Sequence, residues 1–251
     1  MFQQLGAYVE NVGNCTDIFL TKFYDVGGRW IAVKLYEQAE NDPVAHANLA
    51  AFDRGWGDHA RQLGIRPALW SNFRNDPNQY AKVNNELFRR FHLIGMVLDI
   101  EAEAKSDNTE QPGTPESRYA LLSQIMRAQR ALNPRAMIGV SSYGKPVYTM
   151  DWYSVAQNKV RYMPQWYYRF DGAYDPSECI KEWKRLKIGP VSYIHGALSH
   201  LEGHDLFDGV RRLRAARAQG FTYGFQVYTL ESMNLDRDFA ALFSARDLFL
   251  V

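Results

Sequence analysis

The sequence predicts a single α/β domain over residues 1–251, folded as a (β/α)8 TIM barrel. Three observations carry that expectation. Short apolar runs alternate with amphipathic stretches along the chain, eight strand–helix units recur at about thirty-residue spacing, and no Pro-, Ser- or Gly-rich linker divides them. An open doubly wound sheet is the competing fold. It requires a glycine-rich first turn for a nucleotide, and "VENVGN" is a weak one.

In chain order, the expected strands occupy residues 6–10, 30–36, 65–71, 96–101, 137–142, 161–167, 191–195 and 222–228. Helices are expected at residues 15–24, 44–63, 76–91, 115–132, 176–186 and 208–219. Asp76-Pro77 and Asp175-Pro176 each place a capping carboxylate before a proline suited to the first helical position; Thr114-Pro115 does the same with a hydroxyl. Gly220 suits a C-cap. The longest irregular segment, residues 104–113, follows the fourth strand, where a barrel keeps its functional loops.

Composition limits the function classes. An apolar share of 46% supports a large core, and 28 acids against 29 bases leave no electrostatic footprint for nucleic acid or a membrane surface, so neither is an expected partner. The 15 Tyr, 14 Phe and 6 Trp suit both a core and a cleft that stacks on sugar rings. Cys15 and Cys179 make no disulfide framework, and two buried thiols are expected. Among the histidines only His195, His200 and His204, with Asp205, are spaced for zinc to be considered, and no metal or organic cofactor is expected. "GVSSYG" lacks the nucleophile-elbow frame. No basic start leads into an apolar run and no apolar run approaches 18 residues, so neither a secretion signal nor a membrane span is expected.

The chemistry concentrates in "GMVLDIEAEAK", residues 95–105. Strand alternation puts Met96, Leu98 and Ile100 on one face and Val97, Asp99 and Glu101 on the other. The apolar face should meet helices, so the acids point into the barrel and, at the C-terminal end of their strand, reach its mouth. Two such acids repel, and one keeps a proton at a pH where the other is ionised, which supplies a general acid. The competing readings for acids at a strand end are a helix cap, an ion pair with Lys34 or Arg161, or solvent exposure. Glu103 either extends the row or belongs to the loop. The same alternation pairs Lys34 with Tyr36, Glu37 lying just beyond, and pairs Gln165 with Tyr167 and Gln226 with Tyr228. An inward Gln needs a hydrogen-bond partner, either a sugar hydroxyl or a neighbouring side chain. Trp70, Tyr143, Trp166 and Tyr168 are expected as rim or core aromatics.

Four stretches, "WIAVKLYEQ", "MVLDIEAE", "YMPQWYY" and "GFQVYTLESMNLDRDF", together resemble glycoside hydrolase family 25, the lysozyme-like barrels of phages and bacteria that cut peptidoglycan. The resemblance implies a strand carboxylate at Asp99, a catalytic acid at Glu101, and family positions at Lys34, Glu37, Gln165, Gln226, Tyr228 and Asp236. The chain departs from the family at strand one, where "LGAYVEN" carries Tyr8 in place of an Asp, with Glu10 two residues on; Tyr8 or Glu10 is expected to take over part of the missing role. Strand six lacks an acid near Gln165. The implied function is cleavage of a cell-wall polysaccharide, peptidoglycan or a related glycan, by carboxylate general acid catalysis, with Trp70, Glu103 and Tyr167 also facing the polysaccharide. The implied setting is a phage particle, a secreted assembly or release by lysis. The missing Asp favours a second reading, a non-catalytic carbohydrate-binding or structural virion-associated barrel. A third, aldolase-like or metal-assisted chemistry, requires a strongly depressed Lys34 pKa or an ion at the carboxylates.

Overall fold

The computed structural model describes residues 4–38, 41–101, 104–108, 113–166, 175–199, 205–221 and 224–248. Its strands are β1 (Leu5–Val9), β2 (Gly28–Glu37), β3 (Arg66–Asn72), β4 (Gly95–Asp99), β5 (Met137–Ser142), β6 (Arg161–Pro164), β7 (Ala197–Ser199) and β8 (Gln226–Tyr228). All pair in parallel in the order β6-β5-β4-β3-β2-β1-β8-β7. Parallel bridges from Tyr162 to Ile194 and from Gln165 to Ala197 join the two ends. The sheet thereby closes into the expected barrel.

The helices between the strands are α1 (Asp17–Asp25), α2 (Pro43–Asp53), α3 (Trp56–Gln62), α4 (Pro77–Arg90), α5 (Pro115–Tyr119), α6 (Leu121–Leu132), α7 (Trp152–Gln157), α8 (Pro176–Arg185), α9 (Leu206–Arg217) and α10 (Arg237–Ser244). The proline-led starts hold. Asp76 accepts from Asn78 N and Gln79 N, Asp175 from Ser177 N, and Thr114 from Ser117 N, so each satisfies amides that have no partner inside the helix.

The boundaries differ from expectation at identifiable places. The helix expected over residues 44–63 breaks at Gly55, whose φ of 93° no L-residue adopts cheaply, and becomes α2 and α3. The strand expected over residues 191–195 is a 3-10 turn at Val191–Tyr193, because Pro190 starts a turn that Val191 O closes onto Ile194 N. Strand seven forms later, at Ala197–Ser199. The short α7 and the C-terminal α10 were not expected from periodicity.

Alternation sorts the apolar residues into two cores. Met96, Leu98 and Ile100 pack outward with the helices. Tyr8, Trp30, Ala32, Ala68, Trp70, Val97, Met163 and Ala197 come from six strands and can meet only in the lumen, which they fill. The lumen is tight: a Cβ on Gly6 would lie 2.2 Å from the Trp30 ring. With Trp30 filling the lumen beneath it, the polar residues of the next inward layer stand at the mouth.

Candidate active site

Asp99 is the last residue of β4, in register with Asn72 on β3 and Ser141 on β5, and Glu101 lies two residues beyond. Both are partly exposed, while Ile100 between them is buried outward. One side chain ties the acids together. Gln165, at the end of β6, directs Nε2 to Glu101 Oε1 at 2.6 Å, to Asp99 Oδ1 at 3.2 Å and to Ser141 Oγ at 3.2 Å. Trp70 Nε1 donates to the other Asp99 oxygen at 3.3 Å. The two carboxylates therefore sit within about 6 Å of each other, on one side of the mouth.

Tyr8 and Tyr228 pack with Trp70 into an aromatic cluster beside Asp99. Their rings meet edge to face, with centroids 5.0 Å apart for Tyr8 and Trp70, 5.7 Å for Tyr8 and Tyr228, and 5.8 Å for Trp70 and Tyr228. Burial, then the nearby Asp99 charge, raises the Tyr8 phenol well above its ordinary value, so it stays a protonated donor, and it hydrogen-bonds Ser141. Burial and the Glu10 carboxylate do the same to Tyr228, whose hydroxyl bonds Glu10. The cluster thus carries neutral phenols close to the acids.

Several expected site residues stand elsewhere. Gln226 is fully buried and donates to the Tyr8 hydroxyl at 2.9 Å, so it sets Tyr8 rather than facing a ligand. Lys34 does not pair with the strand acids; its ammonium lies 2.9 Å from Glu37 and 2.7 Å from Asp42, the capping residue of α2, with Arg74 on the far side of Glu37. Burial alone would lower Lys34, but the hydrogen bonds it donates to Asp42 and Glu37 hold it above the usual lysine value. Lys34 and Glu37 are therefore a buttress beside Trp70, 6.0 Å from the ammonium, and Lys34 keeps its charge. Arg161 is at the other end of its strand and donates to Ser192 O. Asp236 is at the surface near Lys22. Glu103, Tyr167, Tyr168, His200 and His204 lie outside the described residues. His195 is buried against Trp30 inside the barrel. Cys15 and Cys179 are free, buried thiols.

Three contributors escaped the sequence reading. Ser141 has the inward alternation of β5 as its signal. Glu231 and Asn48 have none: they hold the turn after β1 from distant parts of the chain, Glu231 by accepting from Glu10 N and Asn11 N at 2.8 Å and Asn48 by bonding Val12 N, Glu10 O and Lys34 O.

No protein-family model and no curated protein matches the chain by sequence. Solved structures do match it by fold. A GH18 chitinase from Pseudoalteromonas aurantia aligns over 96% of this chain and 99% of its own, with a TM-score of 0.70 and 11% identity. A chitinase from Rhizomucor miehei covers 97% and 100%, at a TM-score of 0.69 and 12% identity. A chitinase-like agglutinin from Robinia pseudoacacia covers 96% and 99%, at 0.68 and 12%. The fold is a (β/α)8 barrel. At these identities the likeness establishes architecture alone.

Proposed function

We propose that the chain is a glycoside hydrolase acting on a wall-type polysaccharide, with Glu101 as the general acid. The observation that carries this is the Asp99–Glu101 pair held on one Gln165 amide at the mouth of a filled barrel. A hydrolase needs an acid to protonate the leaving oxygen and a fixed negative charge to stabilise the sugar cation. Glu101 stands at the rim, while Asp99 is anchored through both oxygens and suits the second role.

The geometry also favours one class of substrate. Inverting pairs stand about 6.5–9.5 Å apart across the scissile bond, with water between them. Here both acids leave the same strand end and share an amide, so neither lies across the mouth from the other. A sugar carrying an N-acetyl group supplies its own nucleophile from that face, a route known for some chitinase-type enzymes. Asp99 and the Tyr8 and Tyr228 hydroxyls would then orient and polarise the acetamido group. The chitinase-type neighbours support an amino-sugar glycan and give the family 25 resemblance no separate support. Peptidoglycan contains such sugars as well, and delivery on a particle or in a secreted assembly belongs to that narrower version. A Schiff-base reaction at Lys34 is disfavoured by its raised pKa.

The test is release of new reducing ends from a panel of purified polymers, chitin, peptidoglycan and arabinogalactan included. Glu101→Gln is expected to lower kcat about 10²–10⁴-fold with an unchanged circular dichroism spectrum. Wild-type turnover in that variant would remove Glu101 from the chemistry. A second reading, glycan binding without cleavage, draws on the agglutinin that shares this barrel and on the absence of an acid at Tyr8. It predicts saturable binding with no reducing ends from any polymer.

A further inference from the structure

The loops after β4 and β5, the strands that carry Asp99 and Ser141, continue into a groove of about 730 Å³ against α8. Most of its charges cancel in pairs. Lys105 lies 3.6 Å from Asp107, Lys181 is 2.5 Å from Glu178, and Arg185 is 2.6 Å from Glu182. Lys145 is left over. It is half-buried, lines the groove, and among the described residues makes no ion pair or hydrogen bond.

On the same loop Tyr148 is 64% exposed, with its ring at the groove. The Arg185 guanidinium sits 5.0 Å from the ring centroid and backs one face, leaving the other for a ligand. The loops are also braced as a unit. Ser106 N donates to Thr149 O at 2.8 Å, and the Lys105 ammonium lies 5.5 Å from the Tyr143 ring, four residues after Glu101.

A backed aromatic face beside one uncompensated ammonium matches a sugar ring that carries a carboxylate. A neutral sugar would leave the Lys145 charge unmatched, and a small anion would leave Tyr148 unused. We propose that this groove is a second glycan site, in which Tyr148 stacks on a sugar and Lys145 pairs with its carboxylate. The assignment rests on the reading of the chain as a glycan-active barrel and narrows it: the polymer is acidic, not a plain chitin-like chain.

Titration calorimetry on the intact protein tests this with three oligosaccharides of equal length: a peptidoglycan fragment with its lactyl carboxylate, a uronate oligomer and a neutral chito-oligosaccharide. Lys145→Gln is expected to raise Kd about tenfold for an acidic ligand and to leave the neutral one within about twofold. The acidic ligand that responds identifies the source of the carboxylate. Tyr148→Ala should weaken that ligand too, with Tyr148→Phe restoring it, and added salt should erode the acidic preference. The proposal is overturned if Lys145→Gln affects all three ligands equally or none, or if neither acidic oligomer binds. Reducing-end release from the same polymers keeps the two readings apart. Cleavage that persists in Glu101→Gln sinks the proposed mechanism and leaves the Lys145 effect standing, whereas Glu101-dependent cleavage with no Lys145 effect sinks this site alone.

Discussion

At the scale of single residues, the mouth depends on side chains that hold one another. Tyr8 is buried between Gln226 below and the acids above, and its hydroxyl both accepts from Gln226 and bonds Ser141. Tyr8→Phe strands the buried Gln226 amide, and a loss of about 1–3 kcal/mol of stability is expected from urea unfolding, with reduced turnover if the phenol orients substrate. Glu231 offers a pH test. Burial raises its carboxyl above the ordinary value near 4.5, although backbone N–H groups of Asn11 and Glu10 pull the other way. The folded state thus holds this proton more tightly than the unfolded chain does. Stability from this group is fully present below the unfolded value and falls as pH rises through the raised folded one. Glu231→Gln should flatten that fall in a series of unfolding midpoints measured across the window; an unchanged slope would assign it to other groups.

At the scale of elements, the rim is fastened by a few amide side chains that reach between units. From α2, Asn48 accepts from Val12 N at 3.0 Å and donates to Glu10 O at 2.7 Å and Lys34 O at 2.8 Å, joining the ends of β1 and β2. Gln38, just past β2, accepts from the backbone N–H groups of Arg74, Asn75 and Asp76, fixing the turn from β3 into α4. Both side chains are fully buried. Asn48→Ala leaves three backbone groups without their partner, and a cost of about 2–4 kcal/mol is expected in denaturant unfolding. A cost below about 0.5 kcal/mol would mean that water replaces the amide.

For the whole molecule, the barrel is not equally strong around its circumference. β2 and β3 pair over seven registered positions, whereas among the described residues the seam between β6 and β7 rests on two isolated bridges and the bonds from His195 N to Tyr162 O and from Trp166 N to Ala197 O, both 2.8 Å. The seam is also where backbones crowd: a Cβ on Gly196 would fall 1.9 Å from the Trp166 ring. Amide hydrogen exchange should therefore show His195 and Trp166 less protected than Ala32 and Leu69. Equal protection would mean that the barrel opens only as one cooperative unit. Gln165 belongs to this seam, so opening there would release the clamp on Asp99 and Glu101.

The chain order alone determined the barrel, the two faces of β4 and the inward aim of Asp99 and Glu101. Those features rest on local periods, two residues for a strand and about thirty for a strand–helix unit, and local periods are written in the sequence. Tertiary structure alone decided what each polar group meets. Lys34 reads as a ligand contact until Asp42 arrives from the start of α2, and Gln226 does so until Tyr8 is found above it. The groove beside α8 has the same origin: Lys145 and Arg185 are forty residues apart and become neighbours only when the barrel closes. Pairings between distant segments follow from closure and packing, and no short stretch of sequence encodes them.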